Sequence, residues 1–407
     1  MLLRCVGRGG SRSGLVFLVG VAVSLIGCAS DGADVVAEPR QDGTEQPGPF
    51  QPALNTAFTG VGENVLFWGG LAAATEEPEI VMTGALVDVG TGAFTTLPDA
   101  PFAEPLYSPQ AATAGSSVLV LGKACSTSTP ADGDPICSPG TLQAAVFETE
   151  SMEWASIELP PELASLTSSG PEGSYLPFYY RIEGTTVDGS IIVNAGPGSG
   201  DYWNVRPADR TWTRIPDPPV APAGPDGARR NDIGSTAVVA NCVTDTALIV
   251  LESAEPLDPS GGPIALGSRV HVYDLTTGTA WEAAPDLPGT VSAYLQCGGD
   301  GALLTDGIGA VPASTWLGQR DLTWRTPPPP PGEPAPFSVR TRQGEELYLL
   351  NGVADSTGLA FDPVAFTWRV TAPQPEEFGG NWVTWVGDQV VGVTPWDAGS
   401  QIFTYRP

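Results

Sequence analysis

The chain has 407 residues, of which 42% are hydrophobic, and its formal net charge is −28 at pH 7. An acidic surface of this kind repels phosphate groups, which excludes nucleic acid and anionic lipid headgroups as partners of the folded body. Acidic chains can bind calcium, but the sequence has no D-x-[DN]-x-[DN]-G loop. We therefore predict no metal ion and no cofactor.

The N-terminus has the pattern of a secretory signal. Arg4, Arg8 and Arg12 precede an apolar stretch over 15–26, which at about 12 residues is too short to cross a bilayer. The stretch ends in Leu-Ile-Gly-Cys28, which resembles the lipobox of bacterial lipoproteins. This resemblance implies cleavage before Cys28, acylation of its thiol and anchoring of the protein to a lipid membrane outside the cytoplasm, in the bacterial cell envelope. The alternatives are an ordinary signal peptide with a chance cysteine and an uncleaved anchor.

Three regions follow from this pattern. Residues 1–27 are the predicted signal peptide, and their removal with three arginines changes the net charge from −28 to −31. Residues 28–49 comprise the lipidated cysteine and a polar, acidic segment rich in Gly and Pro, which predicts a flexible tether. Residues 50–407 are the predicted folded body. That length is large for a single core but normal for a ring of repeats, where each unit packs on its neighbours.

A repeated pattern runs through the folded body. Each repeat has an acidic or turn residue, a short gap, an aromatic residue and an exit that contains proline, and short β-branched or aromatic runs lie between the repeats. Such runs, bounded by Gly and Pro, predict buried strands, and no segment has a sustained helical period. The six repeats span residues 87–98, 147–160, 205–216, 273–285, 317–327 and 361–373.

This pattern resembles the kelch-type β-propeller family over about residues 50–407. In that family the second strand of a blade ends in Gly-Gly, the third ends in a Tyr-Asp-like pair, and the fourth carries a Trp that packs between blades. The chain has Gly69-Gly70 and Tyr273-Asp274, but the glycine doublet is reduced elsewhere. The resemblance implies an all-β, seven-bladed propeller and does not by itself imply a function.

The last blade is expected to be completed by the N-terminal end of the folded body. After Trp368 the strand pattern continues through 381–385, 388–391 and 401–405, and the sequence stops where a fourth strand is due. We expect residues 49–54 to supply that strand, because closure removes an exposed sheet edge.

Of the six cysteines, Cys5 is removed with the predicted signal peptide and Cys28 is assigned to lipidation, so four remain. An even number in an oxidising compartment favours disulfides, with Cys125 paired to Cys137 across a polar loop. Cys242 and Cys297 then pair with each other, since they fall just after the first strands of the predicted fourth and fifth blades. A zinc site is the alternative, but no Cys-x2-Cys pair exists.

The sequence contains no recognisable catalytic constellation. His271 is the only histidine, and it alternates with apolar residues on the predicted third strand of blade four. A Ser-His-Asp triad would need that residue, and no Gly-x-Ser-x-Gly turn accompanies it. The kelch-like copper radical oxidases need two histidines, which excludes their activity here. Glycoside hydrolysis by a pair of carboxylates is not excluded, since the chain has 46 acidic residues.

A ligand is expected at the mouth of the central channel, which the innermost strands of a propeller line. Arginines there would hold an anionic ligand, and aromatic residues would stack on a sugar. The alternative is that the arginines pair with acids and the aromatic residues pack between blades. Insertions at 125–139 and 252–267 follow second strands and are expected on one face. The candidate ligand-binding residues are Tyr180, Arg181, Arg230, Arg340, Trp382 and Trp385.

The sequence therefore predicts a lipid-anchored propeller that acts as a non-catalytic binding or scaffold module for a protein or an envelope glycan. An enzyme acting on a sugar or similar polar substrate is the alternative. A lipoprotein that captures a substrate for a transporter is a third possibility.

Overall fold

The computed structural model describes residues 56–72, 79–126, 138–165, 179–196, 201–219, 238–252, 269–285, 293–306, 314–331, 339–350, 357–374, 383–394 and 401–407. They form seven antiparallel sheets, six with four strands and the last with three. The seven-bladed, all-β propeller that the repeats predict is thereby confirmed. The expected closing strand at residues 49–54 lies outside the described residues, as do the signal peptide and the tether, and all three stay predictions.

The strands follow one another in order within each blade. Blade one comprises β1 (Ala57–Val61), β2 (Asn64–Ala72), β3 (Glu79–Asp88) and β4 (Phe94–Thr96). Blade two comprises β5 (Leu106–Ala114), β6 (Ser117–Ser126), β7 (Ser138–Glu148) and β8 (Glu153–Ser156), followed by the short helix α1 (Pro161–Ala164). Blade three comprises β9 (Tyr179–Thr185), β10 (Ile191–Gly196), β11 (Tyr202–Arg206) and β12 (Thr211–Arg214).

The second half of the ring repeats this order. Blade four comprises β13 (Val238–Val243), β14 (Ala247–Glu252), β15 (Arg269–Asp274) and β16 (Glu282–Ala283). Blade five comprises β17 (Ala293–Cys297), β18 (Gly301–Asp306), β19 (Thr315–Gly318) and β20 (Trp324–Arg325). Blade six comprises β21 (Val339–Gln343), β22 (Glu346–Leu350), β23 (Thr357–Asp362) and β24 (Thr367–Pro373), and blade seven comprises β25 (Val383–Val386), β26 (Gln389–Thr394) and β27 (Gln401–Tyr405).

The first strands of the blades form the inner wall of the ring. Each first strand contacts the first strand of the next blade, and β25 contacts β1, which closes the circle. At this closure the Gly60 amide donates to the Thr384 hydroxyl at 2.9 Å. A Cβ atom on Gly60 would lie 2.0 Å from the carbonyl oxygen of Trp385, so only glycine lets the two blades approach this closely.

The repeated acidic residue stabilises the turn between the third and fourth strands. Asp274 Oδ1 accepts the amides of Thr276 and Thr277, at 2.8 and 3.1 Å. Asp362 Oδ1 accepts two turn amides in the same way. In blade five, hydrogen bonds from the Thr323 side chain and amide hold the pKa of Asp321 below its ordinary value. The acidic residue of the repeat is therefore explained by local hydrogen bonding to turn amides.

The repeated tryptophan and proline join adjacent blades. In four blades the indole Nε1 of the tryptophan donates to a proline carbonyl in the exit segment of the preceding blade, at 2.8–2.9 Å. The pairs are Trp154 to Pro98, Trp281 to Pro216, Trp324 to Pro285, and Trp368 to Pro328. The spacing of aromatic residue and proline in the sequence thus encodes the contact between blades.

The core lies between the blades and is built by their second and third strands. In β22, for example, Leu347, Leu349 and Leu350 are fully buried, and Tyr348 is nearly so. The first strands are more polar and less buried, because one side of them faces the channel. His271 is on β15, the third strand of blade four, and is 3% exposed, which matches its predicted place.

The two faces of the propeller differ in the connections they carry. Because the strands are antiparallel, the first-to-second and third-to-fourth connections lie at one end of the blades, which we call the turn face. The second-to-third connections and the connections between blades start and end at the opposite end, which we call the loop face. On the turn face, residues 115–116 and 344–345 form two-residue turns. The insertions predicted at 125–139 and 252–267 separate β6 from β7 and β14 from β15, which are second and third strands, and the ends of these strands lie at the loop face.

Candidate functional site in the central channel

The first strands of blades three to six surround a cavity of about 620 Å³. Its polar lining includes Glu183 and Thr185 from β9, Asn241 from β13, Gln296 from β17, and Thr341 and Arg342 from β21. Its apolar lining includes Val243 and Leu295. The volume lies in the range of small-molecule sites, but the lining is more polar than is usual for them.

Glu183 is the most perturbed titratable group of the channel wall. Its side chain is only 2% exposed, and its Oε2 lies 3.6 Å from Nε of Arg181. Burial raises the pKa of Glu183 to about 7, while Arg181 and hydrogen bonds from Asn194 and Asn241 oppose this shift. The carboxyl group therefore titrates near neutral pH, and shifts of this kind occur both at functional sites and in structural ion pairs.

Asn241 links Glu183 to the core of blade three. In the amide orientation that satisfies both neighbours, Asn241 Nδ2 donates to Glu183 Oε2 at 2.6 Å and Oδ1 accepts from the Tyr202 hydroxyl at 3.0 Å. This orientation suits an ionised Glu183.

Arg342 has its charge compensated within the wall. Its Nη1 lies 2.9 Å from Asp245 Oδ1, and its Nη2 donates to the Thr185 carbonyl at 3.2 Å. Asp245 belongs to the turn after β13, so this ion pair ties blade six to blade four. Nearby on the turn face, burial and the neighbouring Asp245 and Asp300 raise the pKa of Glu345.

Gln296 has an incomplete set of hydrogen bonds. It is 8% exposed, and its Nε2 donates to the carbonyl of Thr341 at 2.6 Å and to that of Tyr348 at 3.4 Å. Its Oε1 has no hydrogen-bond partner among the described residues. A buried amide oxygen without a donor is costly, and several other buried side-chain atoms of the described residues share this deficit.

A disulfide joins Cys242 of β13 to Cys297 of β17, with a Cα–Cα distance of 5.5 Å, and both residues line the cavity. The pairing expected from the sequence is present. The expected position was slightly wrong, because both cysteines lie on the first strands of their blades and not after those strands. Cys125 lies on β6, but its side chain and Cys137 are outside the described residues, so their pairing stays a prediction. Within the described ranges, no group of three His, Cys, Asp or Glu could hold a metal ion.

The residues predicted to bind a ligand have different environments. Arg181 lines the cavity, with its side chain 62% exposed. The Tyr180 hydroxyl donates to the Ser108 carbonyl at 2.9 Å, and the Trp385 indole donates to the Thr341 hydroxyl at 2.8 Å, so both side chains connect adjacent blades. Arg340 lies on β21 with a side chain outside the described set, and Arg230 and Trp382 lie wholly outside it. Their predicted role is untested.

Sequence reasoning missed Glu183, Asn241 and Gln296. Alternation along β9 gave no reliable signal for Glu183, because a β-bulge between Ile182 and Gly184 leaves Glu183 without a partner on β10 and changes the side on which the following residues lie. Nor did any signal mark Asn241 or Gln296, which are single polar residues in short strands of mixed character.

No known family model matches the chain, and no curated protein matches it in sequence. Among solved structures, it is similar to that of a puromycin-hydrolyzing peptidase of Mycobacterium tuberculosis, with a TM-score of 0.47 and 14% sequence identity. The match covers 88% of this chain and 52% of the other, so the chain spans about half the length of that peptidase. Within the described residues, no helix is long and apolar enough to cross a membrane. The class that the fold defines is a seven-bladed β-propeller.

Proposed function

We propose that this protein is a lipid-anchored component of a bacterial cell envelope whose kelch-like propeller is a non-catalytic binding or scaffold module for a protein or glycan partner. The export signal and the lipobox-like Cys28 support the location. The proposed contact surface is the loop face, at the end of the blades where the second-to-third and blade-to-blade connections begin and end.

The difference between the two faces carries this proposal. The turn face has two-residue turns such as 115–116, whereas the insertions predicted at 125–139 and 252–267 connect strand ends that lie at the loop face. Long connections on a rigid scaffold cost little stability and are where binding residues concentrate. A propeller that served only as a spacer would have no reason to place its insertions on one side.

Site-specific photocrosslinking on intact cells tests the proposal. A benzophenone amino acid at Ser260, within the loop-face insertion, should give a discrete crosslinked product. The same amino acid at Glu63, in the β1–β2 turn, is the matched control and should give none. Glycosidase and protease treatment of the product then separates a glycan from a protein. A second loop-face position, Ser128, is tested in the same way. Equal crosslinking from both faces would contradict the proposal, and so would the absence of a product from both Ser260 and Ser128.

An enzyme acting on a sugar or similar polar substrate is the second candidate, and Glu183 is the observation that favours it. A buried carboxyl group with a pKa near 7 suits general acid or base catalysis. Hydrolysis of glycoside substrates by residues 29–407 would support this candidate if its rate depended on a pKa near 7 and Glu183→Gln abolished it. Turnover that persists in Glu183→Gln would contradict the assigned role of Glu183.

A further inference from the structure

The seams of the ring, where the first strands of neighbouring blades meet, are tied by different kinds of contact. The seam between blades four and five is tied by the Cys242–Cys297 disulfide. The seam between blades three and four has a tie that includes a carboxyl group, that of Glu183. At the other seams, the described ties are hydrogen bonds between neutral groups: Thr113 to Gly60, Ile182 to Gln110, Gln296 to Thr341, Trp385 to Thr341, and Gly60 to Thr384.

Glu183 lies at an irregularity of β9. The register between β9 and β10 shifts at this point, so Glu183 has no partner residue on β10 and belongs to a β-bulge. A β-bulge changes the direction in which a side chain points. The Glu183 side chain is 2% exposed, and it is hydrogen-bonded by Asn194 of β10 and by Asn241 of β13. The bulge therefore places an ionisable group inside the seam between blades three and four.

The two first strands approach each other closely beside Glu183. A Cβ atom on Gly184 would lie 2.9 Å from Cβ of Val243 on β13, which is closer than carbon atoms normally pack. The seam is thus closed by direct packing next to the carboxyl group. Separation from bulk water opposes the charged form of a carboxyl group.

The groups that face Glu183 compensate its charge only in part. Nε of Arg181 lies 3.6 Å from Glu183 Oε2, but the Arg181 side chain is 62% exposed, so solvent screens its charge. The groups from β10 and β13 are the neutral amides of Asn194 and Asn241, and the Tyr202 hydroxyl of β11 lies behind Asn241. Burial therefore outweighs these partners and raises the pKa of Glu183 to about 7.

The turn-face end of the same seam is held by contacts that do not involve Glu183. The Val187 amide donates to the Asp245 carbonyl at 3.0 Å, which joins blade three to blade four. Arg342 of blade six reaches both sides of the seam, since it pairs with the Asp245 carboxylate at 2.9 Å and donates to the Thr185 carbonyl at 3.2 Å. These contacts can act as a hinge while the seam beside Glu183 opens.

We propose that the seam between blades three and four is a pH-sensitive joint in the propeller wall. When Glu183 is protonated, β9 and β13 stay packed against each other. When Glu183 ionises, the two strands separate locally, with the contacts at their turn-face ends as the hinge, and water reaches the carboxylate. The joint goes beyond the proposed binding function and depends neither on lipidation nor on a partner.

The direction of the pH effect follows from proton linkage. The carboxyl group has a pKa of about 7 in the closed seam and near the ordinary value of 4.5 when exposed, so opening releases a proton between these values. The equilibrium constant for opening should therefore rise by up to about 300-fold between pH 4.5 and 7 and then stay constant. Acid tightens the joint.

Hydrogen exchange followed by mass spectrometry tests the proposal. The full-length protein in detergent solution is measured between pH 4.5 and 8, with correction for the intrinsic exchange rate of amides. Exchange times are kept shorter than global unfolding requires. Peptides that cover β9 and β13 should lose protection by up to about 300-fold between pH 4.5 and 7. Peptides that cover β1 and β25, whose shared seam has a neutral tie, should not change.

Two matched variants assign the effect to one carboxyl group. Glu183→Gln should remove the pH dependence in β9 and β13, because an amide does not titrate in this range. Glu346→Gln is the control and should retain that pH dependence. Hydrogen bonds from Arg369 hold the pKa of Glu346 below its ordinary value, so this carboxyl group does not titrate near neutral pH. If a variant does not fold, the comparison of β9 and β13 with β1 and β25 in the unmodified protein decides the question.

Three results would overturn the proposal. The first is constant protection of β9 and β13 across the pH range. The second is an equal loss of protection in β1 and β25, which would assign the effect to the whole ring. The third is an undiminished pH dependence in Glu183→Gln.

Discussion

The tryptophan that joins each blade to the one before it gives the sharpest test of the fold. In four blades its Nε1 donates to a proline carbonyl at 2.8–2.9 Å, and replacement by phenylalanine keeps a ring but removes the donor. Each such bond is exposed to solvent, so its loss should cost at most about 0.5–1 kcal/mol, in addition to the packing that is lost with the smaller ring. We expect Trp154→Phe, Trp281→Phe, Trp324→Phe and Trp368→Phe to lower the free energy of unfolding, measured by urea titration followed by circular dichroism.

Trp212 of blade three provides the matched control. It occupies the corresponding place on β12, but its Nε1 is buried and has no acceptor among the described residues. Trp212→Phe loses the same ring area and also removes an unsatisfied donor, which by itself favours the folded state. It should therefore be less destabilising than the other four variants by about 1–2 kcal/mol. Equal destabilisation in all five would refute the role assigned to the indole–carbonyl bonds.

Four further predictions follow from the structure and the sequence. Gly60→Ala should destabilise by about 1–3 kcal/mol in the same assay, because its Cβ would meet a carbonyl oxygen, whereas Gly90→Ala, with only ordinary contacts, should be near neutral. The pKa of Glu183 is about 7 in the folded protein and near 4.5 in the unfolded chain, so the free energy of unfolding should fall by up to about 3 kcal/mol as the pH rises from 4.5 to 7. Glu183→Gln should flatten this pH dependence. An unchanged pH profile in the variant would contradict the assigned pKa shift. Cys28→Ser should abolish incorporation of labelled palmitate and release the protein from the membrane fraction, while retained labelling would exclude lipidation at Cys28. Deletion of residues 45–56 should cause a large drop in melting temperature, and an unchanged melt would argue against a closing strand there.

The architecture could be predicted because each blade repeats its own local signals. Asp274 and Asp362 form turns through amides two and three residues away, and the aromatic-to-proline spacing is short. These interactions depend on sequence distances that do not change when the loops between strands vary in length. The number of blades, the strand order and the Cys242–Cys297 pairing follow from counting such signals, without any knowledge of the channel.

The channel site could not be predicted in the same way because its contacts join distant strands. Gln296 bonds to Thr341, 45 residues later, and Arg342 bonds to Asp245, 97 residues earlier. Which side chains reach the channel depends on the register of short first strands, and a shift of one residue reverses the side on which every residue lies. The sequence selected Arg340 on β21, whereas the structure lines the cavity with Thr341 and Arg342 of the same strand.

The residues that break the repeat are the ones that best indicate function. Asp, Trp and Pro recur in blade after blade because every blade needs the same turn and the same contact with its neighbour. A buried Glu183 serves no such general need. Stability alone would favour an apolar residue at this position, because burial of an ionisable group opposes folding. Glu183 instead lies in the channel wall with Arg181, Asn194 and Asn241 as its partners, so its replacement is the most direct test for a function of the channel.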